Sequence, residues 1–410
     1  MEVLPHYPIS LVLSLTLFLP SAVAITLEEA LREALSAHPS LAISANRIES
    51  SAGKLQQAAL RPNPLFIYQT EDFRTWQSPG HRFWQDSDHF FYLQQTFETA
   101  SKRARRVDVA TANQRRAEIE LTLQKQMIAA KVRAAFWDAA GAAQREIALR
   151  QALKSFAEIT EYHRAQVSEG AMAEADLLRV QLEEQKISLL ANGASIDSQR
   201  QIIRLQREMG RSEITPTSVD SDFATVPTKF DELKLDTALT GRAEAQLARQ
   251  IILVAAAQVG LDRALTTPNF DGVGGYKRSG QFDALLWGLQ VPLPVFNRNQ
   301  GNLASASAEA RLARNALTST EALIKSEFEG AIREVDLRRH QINAFVLPLR
   351  VKAAETARLV REAYRLGGAD LLRLLDSQRI LLDTEQLYLD ALLALRQAEA
   401  SLQSATGVLP

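Results

Sequence analysis

ADLLR stands at Ala175-Asp176-Leu177-Leu178-Arg179 and again at Ala369-Asp370-Leu371-Leu372-Arg373, 194 positions later. Each copy follows a glycine turn, Gly170 in the first and Gly367-Gly368 in the second, and the turns are 197 positions apart. Working outward, Leu93-Gln94 recurs as Leu289-Gln290 at an offset of 196, and Ala34-Leu35 as Ala238-Leu239 at 204. Offsets this consistent mark an internal duplication whose loops differ in length between copies.

Prolines punctuate the chain at 39, 62, 64 and 79 and not again until 216; later ones fall at 227, 268, 292, 294, 348 and 410. From Thr99 to Glu169 the composition is Ala, Arg, Gln, Glu and Leu, all good helix formers, with Gly141 as the only glycine. A helix of about 70 residues reaches roughly 105 Å, too long for the core of an ordinary domain. Its charges exclude a membrane span, so residues 99–209 read as a long antiparallel helical hairpin turning at Gly170. Residues 302–406 repeat the plan around Gly367, with Pro348 expected to bend the first arm.

Shorter helices are expected at 26–60 and 233–265. Between each of these and its hairpin lies an aromatic segment. Residues 64–97 hold ten aromatics and 268–296 hold five, of 27 in the chain. In the second, Asp283, Leu285, Trp287, Leu289, Val291 and Leu293 alternate with smaller or polar residues, the period of a strand. Phe91, Leu93 and Phe97 alternate with Tyr92, Gln94 and Thr96 in the first. These are two β-hairpins, and four strands cannot close a membrane barrel, which needs about eight. The strands either belong to a soluble sheet or chains combine. The fold class is thus mainly α with a small β part: a first repeat over 25–210, a linker over 211–232 and a second repeat over 233–410.

Residues 1–24 read as a signal peptide. Ile9 to Leu19 is nearly all apolar and Ala22-Val23-Ala24 supplies small residues for cleavage, although no Lys or Arg precedes the apolar run. With 47 basic and 48 acidic residues the formal charge is -1, which gives no electrostatic footprint for nucleic acid. The absence of cysteine excludes disulfides, thiolate metal sites and a lipidated first residue. No phosphate loop, zincin motif or activated nucleophile is present, so no catalysis and no cofactor are expected. His81 and His89, with Asp86 and Asp88 nearby, lack tight ligand spacing, and no metal site is expected.

Leu289 to Asn302, LQVPLPVFNRNQGN, resembles the strand-to-helix junction of TolC-type outer-membrane efflux factors, particularly their heavy-metal, CzcC-like branch. Gln94 to Arg106, QQTFETASKRARR, resembles the first such junction. Thr26 to Leu35 (TLEEALREAL), Arg61-Pro62-Asn63-Pro64 and Tyr364 to Arg379 (YRLGGADLLRLLDSQR) resemble the mature start, the entry to strand one and the second tip. The resemblance implies a homotrimer in which each chain lends four strands to a 12-stranded outer-membrane barrel standing on a periplasmic helical tunnel. It also implies docking of a periplasmic adaptor and an inner-membrane resistance-nodulation-division pump, with passage of divalent heavy-metal cations. The same duct could serve drug efflux or type I protein secretion, and a periplasmic coiled-coil adaptor is the reading outside the duct class.

By the same resemblance the tips constrict the duct, with Asp176, Tyr364, Asp370, Arg373 and Asp376 as gate candidates. Gly170, Met172, Gly367 and Gly368 are the tip turns that meet the adaptor. Glu98, Lys102, Arg103, Pro292, Pro294, Arg298 and Gly301 stand at the strand-to-helix junctions. Arg373 departs from the acid expected there. It either latches to Asp176 or Asp376, or pairs with Asp370 or Asp376 on an exposed helix face for a few tenths of a kcal/mol.

Overall fold

The computed structural model describes residues 23–74, 79–225 and 234–409. The expected signal segment up to residue 22, Trp76 of the first hairpin and the linker from 226 to 232 lie outside these residues. Val23 and Ala24, expected within the signal peptide, join Ile25 in strand β1 (Val23–Ile25).

Local chemistry starts the first helices. Thr26 accepts from the Glu29 N–H at 3.3 Å while the Glu29 carboxylate accepts from the Thr26 N–H at 2.9 Å, a capping box that opens α1 (Leu27–Ala37). His38 precedes proline and is therefore extended, which ends α1 and places Pro39 at the first turn of α2 (Pro39–Ala58). The first hairpin comprises β2 (Leu65–Glu71), a one-turn helix α3 (Phe83–Asp86) and β3 (Asp88–Phe97).

Helix α4 (Lys102–Ser168) has 67 residues and spans about 100 Å. It ends where Gly170 turns left-handed at φ 72, with Ala171 N–H donating to Gln166 C=O at 2.8 Å, a Schellman closure. Gly367 repeats it at φ 77, with Gly368 donating to Ala363 C=O at 2.8 Å. The return arm α5 (Glu174–Glu208) leads to β4 (Thr217–Val219), which pairs in parallel with β1.

The second repeat differs from expectation in two places. The single helix foreseen at 233–265 is two, α6 (Leu235–Gly241) and α7 (Ala243–Ala264), because Arg242 is extended where His38 is in the first repeat. Pro348 interrupts its arm through a π-helical turn, Ile342–Val346, between α8 (Gln300–Gln341) and α9 (Leu347–Arg365). Leu347 N–H reaches back five residues to Ile342 C=O, and the wider turn accommodates a ring that would clash with a regular helix. Strands β5 (Phe270–Ser279) and β6 (Phe282–Gln290) precede this arm, and α10 (Leu371–Thr406) returns from it.

Each return arm abuts a short helix end to end. A Cβ on Gly210, just past α5, would lie 2.8 Å from His38 and Pro39 at the start of α2; one on Gly407, past α10, would lie 2.7 Å from Gly241 before α7. Both glycines have positive φ, and they are related by the duplication. Along the bundle Gly141 brings α4 against Leu393 of α10, where an added Cβ would stand 3.0 Å from a Leu393 methyl. Buried clusters join α1 to α4 through Leu31, Val132 and Phe136, and α8 to α10 through Ile324, Phe328 and Leu392. Truncating Phe136 alone costs about 3–5 kcal/mol.

Candidate functional site

The two hairpins form one antiparallel sheet in the order β2-β3-β5-β6, joined across the repeats by β3 and β5, with Leu93 opposite Gly274 and Phe97 opposite Phe270. Strand period separates its faces. Phe66, Tyr68, Phe91, Leu93, Phe97 and Phe270 share one face with Tyr276, Leu285, Trp287 and Leu289. The other carries Gln69, Asp88, Gln94, Thr96, Asp271, Lys277 and Gln290. Those polar groups are knitted together: Lys277 to Asp88 at 2.9 Å, Gln94 to Asp271 at 3.0 Å and Thr96 to Asp271 at 2.5 Å.

The long helices leave the apolar face uncovered, with Leu285 88% and Trp287 87% exposed. Strands β2 and β6 each keep a free edge. An apolar face with open edges aggregates in water, and in lipid the face is satisfied while the edges are not. The aromatic segments thus lie side by side rather than packed on each other as a soluble core. Strand β6 stops at Gln290, short of the expected Val291 and Leu293, because Pro292 and Pro294 have no N–H to donate to a ladder. At the far end His89 is fully buried, bonded to Phe83 C=O at 2.8 Å and to the Tyr68 and Thr70 hydroxyls at 3.0 Å, while His81 bonds Ser87. The two histidines share no hydrogen-bond partner among the described residues.

The junction candidates fall into two clusters. Before α4, Arg106 grips Glu98 with both terminal nitrogens and holds its carboxyl below the usual range; it also reaches Leu60 C=O at 3.2 Å. Lys102 is buried and donates to the Asn269 side chain, and burial lowers its pKa. Arg103 is exposed. Before α8, Arg298 donates to Pro294 C=O at 3.1 Å, Asn299 to Asp262 C=O at 2.9 Å, and Gly301 faces open space. Both long helices start from a left-handed residue, Ser101 at φ 56 and Asn299 at φ 61. Asn269 and Asn299 were not among the sequence candidates; an asparagine, which tolerates left-handed backbone, was the available signal at 299.

At the tips Asp370 caps α10, accepting from the Arg373 N–H at 2.8 Å. That turns the carboxylate toward the helix terminus, and the Arg373 guanidinium makes no ion pair with Asp370, Asp376 or Asp176 among the described residues. Arg373 and Asp376 are exposed and Asp176 and Met172 are half-buried. The polar link that does form was not foreseen. His163 of α4, fully buried, donates from Nδ1 to Ile159 C=O at 2.7 Å, which leaves Nε2 to accept from the Tyr364 hydroxyl at 2.8 Å. Burial, together with Tyr162 and Asp176, raises the Tyr364 pKa. Under this link lies an apolar cluster of Phe156, Val180, Leu371 and Leu374.

Among the described residues no helix is long and apolar enough to cross a membrane, and no group of acids and histidines is placed to hold a metal ion. Residues 235–408 match the family model described as outer membrane efflux protein. The cobalt-zinc-cadmium resistance protein CzcC of Cupriavidus metallidurans is 24% identical over 396 residues, covering 93% of this chain and 90% of that protein. Among solved structures, the outer membrane protein VceC of Vibrio cholerae has a TM-score of 0.75 at 20% identity, covering 93% of this chain and 96% of that one. CusC has a TM-score of 0.78 at 16% identity, covering 96% and 95%. Across the second repeat the sequence matches the outer membrane efflux protein family, and across both repeats the fold is that of VceC and CusC.

Proposed function

We propose that this chain is a TolC-type channel of the Gram-negative outer membrane that extends into the periplasm, works as a homotrimer and conducts divalent heavy-metal cations passively from a resistance-nodulation-division pump and its periplasmic adaptor to the exterior. The observation that carries the trimer is the four-stranded sheet with one bare apolar face and two free edges. Three such sheets give twelve strands, above the minimum of about eight, and each β2 edge gains a β6 partner from a neighbour. The apolar face then meets lipid and the polar face lines the lumen. Likeness to a cobalt-zinc-cadmium resistance protein over most of the chain supports the cargo.

In this reading the two glycine tips meet the adaptor. Asp176, Arg373 and Asp376 contribute charge to the lower constriction, and the protein adds no bond chemistry. Cysteines introduced singly along β2 and β6 of this cysteine-free chain are expected to crosslink neighbours into a covalent ring; a water-soluble monomer without crosslinks overturns the trimer. A deletion strain is expected to become sensitive to cobalt, zinc or cadmium and to recover with the plasmid-borne gene. Unchanged tolerance of these metals, nickel and copper refutes the cargo, and sensitivity to drugs alone assigns the duct to drug efflux instead.

A further inference from the structure

We infer that a cleft between α4, α9 and α10, just above the second tip, binds a small organic anion with an apolar body. The cleft encloses about 300 Å³, at the lower end of small-molecule sites. Its first cation is internally satisfied: Arg350 grips Glu385 through two bonds, 2.7 and 2.9 Å. Its second is not. Arg361 has no ion-pair partner among the described residues, its Nη2 donates to Gln378 Oε1 at 3.0 Å, and its buried Nε has no acceptor.

Gln378 is 4% exposed, and that bond fixes its amide, since the flipped form would set NH₂ against a guanidinium. Its Nε2 is therefore a second buried donor without an acceptor. Two unmet donors and one unneutralised positive charge thus border the same space, an arrangement that is costly empty and complementary to a carboxylate. Phe156, Leu381 and Leu382 line the remainder and suit a short hydrocarbon body. The positive charge repels a metal cation, so this site is separate from the conducted cargo and does not rest on the efflux reading.

Radiolabelled octanoate below its micelle concentration tests the site by equilibrium dialysis against the detergent-extracted, full-chain oligomer. Saturable binding of one equivalent per chain is expected, weakened at least tenfold in Arg361→Met. Gln378→Glu sets a carboxylate against Arg361, so it is expected to abolish binding while keeping or raising thermal stability. Arg373→Met, an exposed cation outside the cleft, is expected to bind as wild type. Inorganic phosphate carries the charge without the apolar body and is expected to compete weakly. Absence of saturable binding, as when a neighbouring subunit's side chain already fills the cleft, overturns the inference, as does binding equal to wild type in Arg361→Met and Gln378→Glu. Phosphate binding as tight as octanoate overturns the assigned ligand class.

Discussion

His163 and Tyr364 fasten the two helical hairpins of one chain to each other: the imidazole Nε2 lies 2.8 Å from the phenol oxygen, and the rings stack with centroids 5.5 Å apart. Tyr364→Phe keeps the stacking and removes the donor, leaving Nε2 buried without a partner at a cost of about 1–3 kcal/mol. If the link holds the tips together, the variant raises the basal conductance of the purified channel in planar bilayers. His163→Leu has the same effect, and the double variant adds little to either. Conductance equal to wild type in all three would remove this pair from the constriction.

Leu285 and Ala284 are neighbours on β6 that point to opposite faces of the sheet. Leu285→Lys puts a charge toward lipid and is expected to cost about 2–4 kcal/mol if it sits near the midplane. Ala284→Lys faces the polar side and is expected to assemble normally. The yield of oligomer in the outer-membrane fraction distinguishes them, and equal yields contradict the assignment of faces.

Arg396 ties the start of the linker between the repeats to α10. It pairs with Glu399 at 2.9 Å, donates to the carbonyls of Asp222, Phe223 and Thr225, and lies over the Trp137 ring at 4.7 Å. Burial raises the Glu399 pKa even with this partner present. Arg396→Met leaves the buried Glu399 carboxylate with only the charge of Arg339 nearby and is expected to cost up to about 3–5 kcal/mol in denaturant melts. Adding Glu399→Leu recovers part of the loss, because the loop carbonyls still lack their donor.

Glu33 of α1 accepts two bonds from Arg211, 2.5 and 2.7 Å, and these hold its pKa below the usual carboxylate value. A depressed folded pKa gives stability that is complete above the unfolded value, about 4.3, and is lost as pH falls through the folded one. Acidification below about pH 4.3 is therefore expected to lower the melting temperature more in wild type than in Glu33→Gln, which has nothing to titrate there. Parallel acid profiles for the two proteins would show that this pair contributes nothing.

Features set by neighbours in sequence were legible in the residue string. The tip turns follow from glycines free to adopt positive φ, the strands from a period of two, and the long helices from uninterrupted helix formers between prolines. Arg242 shows the limit. Gly241 before it weakens a helix without fixing an end there; the break comes with Gly241 pressed against Thr406 C=O, 2.8 Å from where a Cβ would stand. Arg373 is similar, since an acid three residues before it suggested a surface ion pair, and the helix terminus claimed that acid as a cap instead.

The sequence by itself determined the duplication, the hairpins, the two-faced strands and the positions of the tips, because each is written in the residue string as a local period, a local turn or the recurrence of a short motif. Only the tertiary structure decided that β3 joins β5, that α5 and α10 run end-on into α2 and α7, and that His163 meets Tyr364. Those contacts join residues about 170 to 200 positions apart, or bring a helix end back against one far from it in the chain. Their partners are chosen by shape, burial and hydrogen-bond satisfaction in the assembled bundle, which no local period encodes.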